Sequence, residues 1–339
     1  MNLRKIILVA FVACLDVANA DAFEYNHGGY GFKLNGYGTI GVIEPDFDEP
    51  SFIGDWRVRT QFNYALGAGR SIGAIYAIDE LALYQNEWQR DAFLFFENAE
   101  IGRIEVGFTD SIATKLGVGL PDVGSLRIND NPLFYKKIDL QGAVLSNTTL
   151  TGGRYDLRAN IVSVPTKPMQ YGVSIAGLSP NYDYAVDFGV KYRKSEGKTK
   201  VAVSFGASFI DSPENFQPDV FAPRVTADWR AQTSAGLNLQ YNSWIWGLSG
   251  RIVYDRNPIA ATDGIVAGTG ISYDILKYSL SASYLLSDTG VWDSDAKDYV
   301  AHTAMLSFRY KYSESLNGWM SLGISAGLPF LGAGLNAKF

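Results

Sequence analysis

The side chains that most often carry catalysis are scarce in this chain of 339 residues. It contains two histidines, His27 and His302, and one cysteine, Cys14. A zinc-type cluster needs several histidine or cysteine ligands, and a nucleophile needs a base beside it. His302 and Ser307 are an odd number of positions apart in the sequence, so they would point to opposite faces of a strand. We therefore expect no metal site, no cofactor and no enzymatic activity.

Charged side chains instead occur on strand-like segments and in one long, turn-rich stretch at about 110–135. The candidate residues are the bases Arg57, Arg59, Arg90, Arg103, Lys136 and Lys137 and the acids Asp110, Asp122 and Asp130. At about 8 Å and an effective dielectric of about 20, one unit charge changes the energy of an ion by about 2 kcal/mol. Such groups can select ions by charge if the fold brings them around a narrow gap. The alternative is that they are ordinary surface groups solvated by water.

The stretch from Arg90 to Lys137 begins with strand-like alternation and continues in turn chemistry. Ile104, Val106 and Phe108 alternate with polar or small residues, the pattern of a strand with one apolar face. After Asp110 this pattern stops, and glycines, prolines and an Asn-Asp-Asn run follow for about 25 residues. A loop of that length is usually functional or disordered. Its many apolar residues predict that it packs against another part of the chain.

Other segments alternate over longer runs than most soluble strands do. From Val225 to Tyr241 apolar and polar residues alternate without a slip, and Tyr182 to Tyr192 repeats the arrangement. The apolar faces span about ten residues and often end in Tyr or Trp, which is typical of a lipid-facing band between aromatic belts. A soluble sandwich would also alternate, but its strands average about five to six residues. Because an unpaired strand edge is costly in hydrocarbon, these strands should close into a barrel.

The predicted fold is therefore all-β: a transmembrane antiparallel β-barrel of 16 strands. We count about seventeen strand-like segments between Phe32 and Phe339, whereas a barrel with both ends in the periplasm needs an even number. We place the extra segment in 136–178 or 199–230. Short links are expected at 98–100, 242–243 and 313–318, and longer external loops at 110–135, 211–222, 255–263 and 287–299.

Residues 1–20 have the features of a cleaved secretion signal. Arg4 and Lys5 precede an apolar run, and Ala18-Asn19-Ala20 forms a small-x-small cleavage site. Residues 21–339 would then form one barrel domain. Cys14 leaves an alternative open, because Phe11-Val12-Ala13-Cys14 weakly resembles the site at which lipoproteins are cut and acylated. The formal net charge of −6, with no basic patch, argues against nucleic acid as a partner.

Several segments resemble the trimeric general-diffusion porins of the Gram-negative bacterial outer membrane. Arg90-Asp91-Ala92-Phe93 matches a strand bearing Arg-x-Ala-Phe, and Gly102 to Gly107 matches the Gly-x-x-x-x-Gly strand that follows it. Pro121-Asp122-Val123-Gly124-Ser125 is similar to the motif Pro-Glu-Phe-Gly-Gly of the inward loop, with Ser125 in place of the last glycine. The first strand at 34–42 and the last strand ending in Phe339 also resemble their counterparts in this family.

This resemblance implies a water-filled outer-membrane channel for the passive diffusion of small hydrophilic solutes and ions. It also implies that the loop at about 110–135 folds into the barrel as a constriction loop. In the family, wall bases and loop acids set a transverse field at the constriction. That role carries over by motif to Arg90 and Asp122, and by position to the other candidates. The resemblance also implies a homotrimer surrounded by outer-membrane lipids, and a terminal Phe339 read by the barrel assembly machinery. The alternatives are a solute-selective porin and a plugged structural or adhesin barrel.

Overall fold

The computed structural model describes residues 23–45, 51–80, 88–121, 123, 157–164, 166–177, 184–211, 229–256, 264–288, 300–325 and 327–339. The strands are β1 (Phe23–His27), β2 (Tyr30–Pro45), β3 (Ser51–Gly67), β4 (Arg70–Glu80), β5 (Trp88–Asn98), β6 (Gly102–Phe108), β7 (Leu157–Ser163), β8 (Met169–Gly177), β9 (Tyr184–Glu196), β10 (Thr199–Asp211), β11 (Trp229–Tyr241), β12 (Trp244–Arg256), β13 (Gly264–Ile275), β14 (Tyr278–Asp288), β15 (Val300–Lys311), β16 (Leu316–Ser325) and β17 (Leu328–Lys338). One short helix, α1 (Ile112–Leu116), follows β6. In this part of the chain no helix has the length and apolar character needed to cross a membrane.

Strands β2 to β17 form a closed antiparallel barrel of 16 strands. Each strand pairs with the next one along the chain, and β17 pairs back with β2 from Phe330↔Pro45 to Lys338↔Tyr37. Closure gives the main-chain N–H and C=O groups of each strand partners on both sides, which a hydrocarbon environment requires. The predicted fold is thereby confirmed.

An additional strand, β1, precedes the 16 barrel strands, outside the range from Phe32 to Phe339 in which the strand-like segments were counted. The extra segment expected in 136–178 or 199–230 stays a prediction, because 136–156 and 212–228 lie outside the described residues. Strand β1 lies at the amino-terminal side of the barrel and pairs with β2 from Phe23↔Leu34 to His27↔Tyr30. Gly28 and Gly29 form the turn between them, with φ of 57° and 86°, a region that favours glycine. Because β17 reaches only as far as Tyr37 on β2, β1 can pair with the remainder of the same edge. A five-residue segment shows too little alternation for this pairing to be read from sequence.

Short turns gather at one end of the barrel, called here the turn end. They comprise 28–29, 68–69, 99–101, 164–168, 197–198, 242–243, 276–277 and 312–315. The short links predicted at 98–100, 242–243 and 313–318 all fall there. The carboxyl terminus lies at the same end. The opposite end, called the loop end, receives connections that are generally longer, including 109–156. The predicted loops at 211–222, 255–263 and 287–299 lie almost wholly outside the described residues.

The outer face of the barrel is apolar and bordered by aromatic rings. Leu94 is 67% exposed and Ile161 is 62% exposed, although both are aliphatic. At the turn end Trp244 stacks on Tyr273 with ring centroids 4.2 Å apart, and at the loop end Trp229 lies 5.6 Å from Tyr254. An apolar band between two aromatic belts is the outer surface that a bilayer requires.

Candidate functional site

The segment that follows β6 lies inside the barrel, along its wall. We call residues 109–121 and 123 the inner loop. It begins with a capped helix, because Ser111 Oγ accepts the N–H of Thr114 at 3.2 Å. Its apolar side chains are buried at Ile112, Ala113, Leu116, Val118, Leu120 and Val123. The apolar residues that predicted packing therefore pack against the inner wall, and the part of the predicted loop after Val123 lies outside the described residues.

Glycines on the inner wall permit the close approach of the inner loop. A Cβ atom on Gly189 of β9 would lie 2.8 Å from the carbonyl oxygen of Ile112. A Cβ atom on Gly236 of β11 would lie 2.0 Å from the carbonyl oxygen of Val118, a distance that no real Cβ atom tolerates. The main chain of the loop thus lies directly on the main chain of the wall.

Three wall serines accept hydrogen bonds from main-chain N–H groups of the inner loop. Ser174 on β8 accepts the N–H of Ile112 at 3.2 Å. Ser204 on β10 accepts the N–H of Val118 at 2.8 Å, and Ser281 on β14 accepts the N–H of Val123 at 3.2 Å. A hydrogen bond of this kind contributes about 1 kcal/mol net. The inner loop is therefore fastened to the wall from β8 to β14.

A buried ion pair lies beneath the start of the inner loop. Arg158 on β7 and Asp187 on β9 are 1% and 0% exposed, and Arg158 Nη1 lies 2.6 Å from Asp187 Oδ2. Ser174 donates to the same carboxylate oxygen at 3.1 Å while it accepts the N–H of Ile112. The charge pair thus fixes the serine that holds α1.

The base of the inner loop is held by a second polar cluster around Glu105 on β6. Lys115 on α1 forms an ion pair with Glu105 and donates to Thr109 Oγ1 at 2.7 Å. Asn160 on β7 donates to Glu105 Oε2 at 2.9 Å and to the main-chain oxygen of Asp110 at 3.0 Å. Asp110 therefore takes part in anchoring the loop through its carbonyl group.

The wall from β3 to β6 carries bases that face the lumen. Arg57 forms an ion pair with Asp91 two strands away, and Arg103 Nε lies 3.1 Å from Glu105 Oε1. Arg59 interacts electrostatically with both arginines and both acids, yet none of the ion pairs in the described part of the chain includes it. Three guanidinium groups predicted from the sequence, two on β3 and one on β6, are thus close enough to interact electrostatically across the inner wall.

Apolar side chains support these bases. Ile75, Phe93 and Phe95 form a buried cluster on the inner face of β4 and β5. The guanidinium carbon of Arg103 lies 3.9 Å from the ring centroid of Phe95, and Lys115 Nζ lies 4.9 Å from that of Phe93. Cation–π contacts of this kind hold a charged group in place without neutralising it.

Arg90 differs from the other predicted wall bases in its position. It lies on β5 opposite Ile78, and its side chain is outside the described part of the structure. Successive residues of a strand alternate between faces, which gives position 90 the register of the outward-facing Leu94. Position 91 has the inward register, and Asp91 is the charged residue that Arg57 contacts.

Other predicted candidates, Lys136, Lys137, Asp122 and Asp130, lie outside the described residues. Conversely, the sequence interpretation omitted Asp91, Glu105, Lys115, Arg158 and Asp187. The alternation of β5, which places Asp91 on the same face as Phe93 and Phe95, was a signal that could have found the first of them. The described residues contain no group of three or more histidines, cysteines or acids that could hold a metal ion.

Comparisons with known proteins agree with this architecture. A family model described as Gram-negative porin matches residues 7–317. A search of curated proteins found no match. Among solved structures, the complex of Salmonella typhi OmpF with daunomycin has a TM-score of 0.69 at 12% identity, covering 94% of this chain and 100% of that one.

Two further solved structures have the same fold. OmpT of Vibrio cholerae with loop L8 deleted gives a TM-score of 0.67 at 12% identity, covering 92% of this chain and 100% of that one. The anion-selective porin from Comamonas acidovorans gives a TM-score of 0.64 at 12% identity, covering 91% of this chain and 100% of that one.

The closed barrel, its apolar outer band and its polar interior define an integral β-barrel protein of the bacterial outer membrane. The chain belongs to the Gram-negative porin family. It forms a water-filled channel through which small hydrophilic solutes and ions diffuse passively.

Proposed function

We propose that Arg57, Arg59 and Arg103 line the narrow part of this channel and act with acids of the inner loop as a charge filter. The observation that carries the proposal is the course of the inner loop. It is fastened along the wall from β8 to β14, so the lumen that remains lies next to the wall from β3 to β6. Ions that cross the channel would then pass the three guanidinium groups at close range.

Arg59 is the base best suited to act on passing ions. Arg57 and Arg103 have carboxylate partners that offset part of their charge, whereas Arg59 belongs to no ion pair within the described residues. An unpaired charge in a narrow, partly buried space acts on an ion more strongly than a paired one. Arg59 should therefore contribute more to charge selectivity than either neighbour.

The acids of the filter are proposed on the strength of the family motif. Asp122 stands between Pro121 and Val123, two residues buried against the wall. Asp110 and Asp130 are proposed as further acids of the filter because of their positions in the loop. Among the bases, Lys136 and Lys137 are proposed by position, and Arg90 is proposed only because it matches the family motif Arg-x-Ala-Phe. If Asp122 lines the pore, Asp122→Asn should shift the reversal potential in a salt gradient toward anion selectivity.

Single-channel recording in a planar bilayer tests the proposed function. A steady ohmic step in KCl supports an open diffusion channel with a charged constriction. Saturation of the current by one solute would favour a solute-selective porin instead. A folded barrel that passes no current would favour a plugged structural or adhesin barrel, and would contradict the proposal.

We also propose that the protein assembles as a homotrimer. Small or flat residues lie at outward register positions of the adjacent strands β2 and β17, where Gly38 pairs with Ala337 and Ile40 pairs with Leu335. Such a surface allows two barrel walls to approach closely, and one related structure of Vibrio cholerae OmpT is described as a trimer form. Chemical cross-linking in native membranes should yield trimers, and a product limited to monomers would refute this assembly.

Two proposals concern how the barrel reaches the membrane. Residues 1–20, which lie outside the described residues, would be removed as a secretion signal, leaving a mature chain that starts at Asp21. Phe339 would be recognised by the barrel assembly machinery. Mass spectrometry of the mature protein should find Asp21 at its amino terminus and no acyl group, whereas an acylated Cys14 would support the lipoprotein alternative.

A further inference from the structure

Three basic residues form a cluster on the inner face near the turn end. Lys191 and Arg193 lie two residues apart on β9, on the same face as the buried Asp187. Arg193 is directly opposite Ala202 of β10, and Lys200 lies two positions from Ala202 on the same face. Arg193 is therefore within about 8 Å of Lys191 along its own strand and of Lys200 on the diagonal, and it lies between these two lysines. The strand pairing therefore brings three positive charges together.

These three cations have no carboxylate partner among the described residues. Lys191 Nζ lies 3.5 Å from the carbonyl oxygen of Gly117, and Arg193 Nη2 donates to Gln170 Oε1 at 3.1 Å. Both partners are neutral. On other strands of the inner wall the arrangement differs, since Arg158 and Arg309 each face an aspartate, Asp187 and Asp274. No carboxylate in the described part of the chain therefore offsets the charges of the cluster.

The cluster lies on the turn-end side of the inner loop. Lys191 contacts Gly117, the residue that ends α1, and Arg193 and Lys200 lie progressively closer to the turn at 197–198. The sequences that connect strands at the loop end are rich in acids, such as Asp46, Asp48 and Glu49 in 46–50 and Asp293, Asp295 and Asp298 in 289–299. The acidic connecting sequences of the loop end thus contrast with the basic cluster, which lies on the turn-end side of the inner loop.

We propose that Lys191, Arg193 and Lys200 form a binding site for small, multiply charged oxyanions at the turn-end mouth of the channel. Like charges at this spacing repel one another, and a multivalent anion between them would remove that repulsion. The guanidinium group of Arg193 offers a fork of N–H donors that fits two oxygens of a phosphate group, while the two lysines add point charges. The proposal of this site depends on the open channel described above. It assigns to that channel one class of solute, small oxyanions with several charges.

Sided addition of pyrophosphate to a planar bilayer tests this proposal. Single-channel conductance is recorded in KCl at constant ionic strength while pyrophosphate is added to one compartment only. Orientation is assigned with Lys198→Cys in the turn at 197–198, using a polymer-linked maleimide too large to pass the channel. Pyrophosphate added at the turn end should reduce the conductance at a concentration about tenfold lower than at the loop end, because the cluster lies on the turn-end side of the inner loop and pyrophosphate from the other side must first pass the constriction.

Variants on one strand separate the site from general charge effects. Arg193→Gln and Lys191→Gln should each weaken the effect of pyrophosphate by about tenfold, the usual consequence of losing a hydrogen bond to a charged group. Lys191→Arg keeps the charge and should keep the effect. Lys194→Gln is the matched control, because Lys194 has the opposite register on β9 and pairs with Glu196 at 2.7 Å. It should respond as the unmodified protein does.

The outcomes distinguish this site from the channel itself. Equal effects of pyrophosphate from both compartments, or unchanged sensitivity in Arg193→Gln and Lys191→Gln, would overturn the anion site while leaving the channel intact. Loss of KCl conductance in the unmodified protein without pyrophosphate would contradict the channel. If one glutamine variant fails to fold, Lys200→Gln provides the same test from the neighbouring strand β10.

Discussion

Phe339 and Gly36 close the barrel by exchanging two main-chain hydrogen bonds. The N–H of Gly36 donates to the carbonyl oxygen of Phe339 at 2.9 Å, and the N–H of Phe339 donates to the carbonyl oxygen of Gly36 at 3.1 Å. A Cβ atom on Gly36 would lie 2.5 Å from Cζ of Phe339, so the phenyl ring packs directly on this glycine. The last residue thus extends the pairing between β17 and β2, and its ring covers Gly36.

Deletion of Phe339 should lower the amount of folded barrel in the outer membrane while secretion across the inner membrane continues. The deletion removes both hydrogen bonds of the closing pair as well as the packed ring. Heat-modifiable electrophoretic mobility of the outer-membrane fraction measures the folded amount. Lys338→Gln, which retains the ring and the chain length, is the control. Equal folded amounts in the deletion and the control would show that the final residue is incidental.

Arg59→Ala should shift the reversal potential in a KCl gradient toward cation selectivity. One unit charge about 8 Å from an ion is worth about 2 kcal/mol before screening by salt, enough for a several-fold change in selectivity. Arg57→Ala should shift the reversal potential in the same direction, because it removes one positive charge that offsets the carboxylate of Asp91. Lys194→Gln, on the opposite face of β9, should leave the reversal potential unchanged. If neither arginine variant moved it, these bases would not line the narrow part of the channel.

Arg158→Met should destabilise the folded barrel by about 3–5 kcal/mol, because it removes the positive charge that offsets the buried carboxylate of Asp187. The double variant Arg158→Met, Asp187→Leu should recover most of this loss, since no buried charge remains. The temperature at which the folded form disappears on unheated gels, measured for both variants, checks the prediction. A double variant as unstable as the single one would show that the charge pair itself, and not its imbalance, is required.

Gly236→Val should reduce the single-channel conductance. A Cβ atom at this position would meet the carbonyl oxygen of Val118 at 2.0 Å, so the inner loop must move from the wall into the lumen. Ala235→Val adds comparable volume on the outer face of the same strand and is the matched control, with conductance expected to stay unchanged. Unaltered conductance in a folded Gly236→Val barrel would mean that the inner loop does not narrow the channel.

The sequence by itself determined the class of fold. Period-2 alternation over long runs is visible in any single strand, and it predicts the apolar outer face because each residue's side follows from its neighbours. The two-residue turn at 242–243 and the long turn-rich segment after Asp110 were local signals of the same kind. They sufficed to predict sixteen strands and to group Arg57 with Arg59 on one face, and with the resemblance to porins they predicted an inward loop.

Only the tertiary structure decided which charges meet. The pairs Arg57–Asp91, Lys115–Glu105 and Arg158–Asp187 join residues on different strands or on a strand and the inner loop, so barrel closure and strand register create them. Register also decided that position 91, rather than position 90, has the inward orientation, and that β1 fills the free edge of β2. Local patterning determines which face of its strand a residue occupies. The distance between two residues that are far apart in the sequence depends instead on how many strands separate them around the closed sheet.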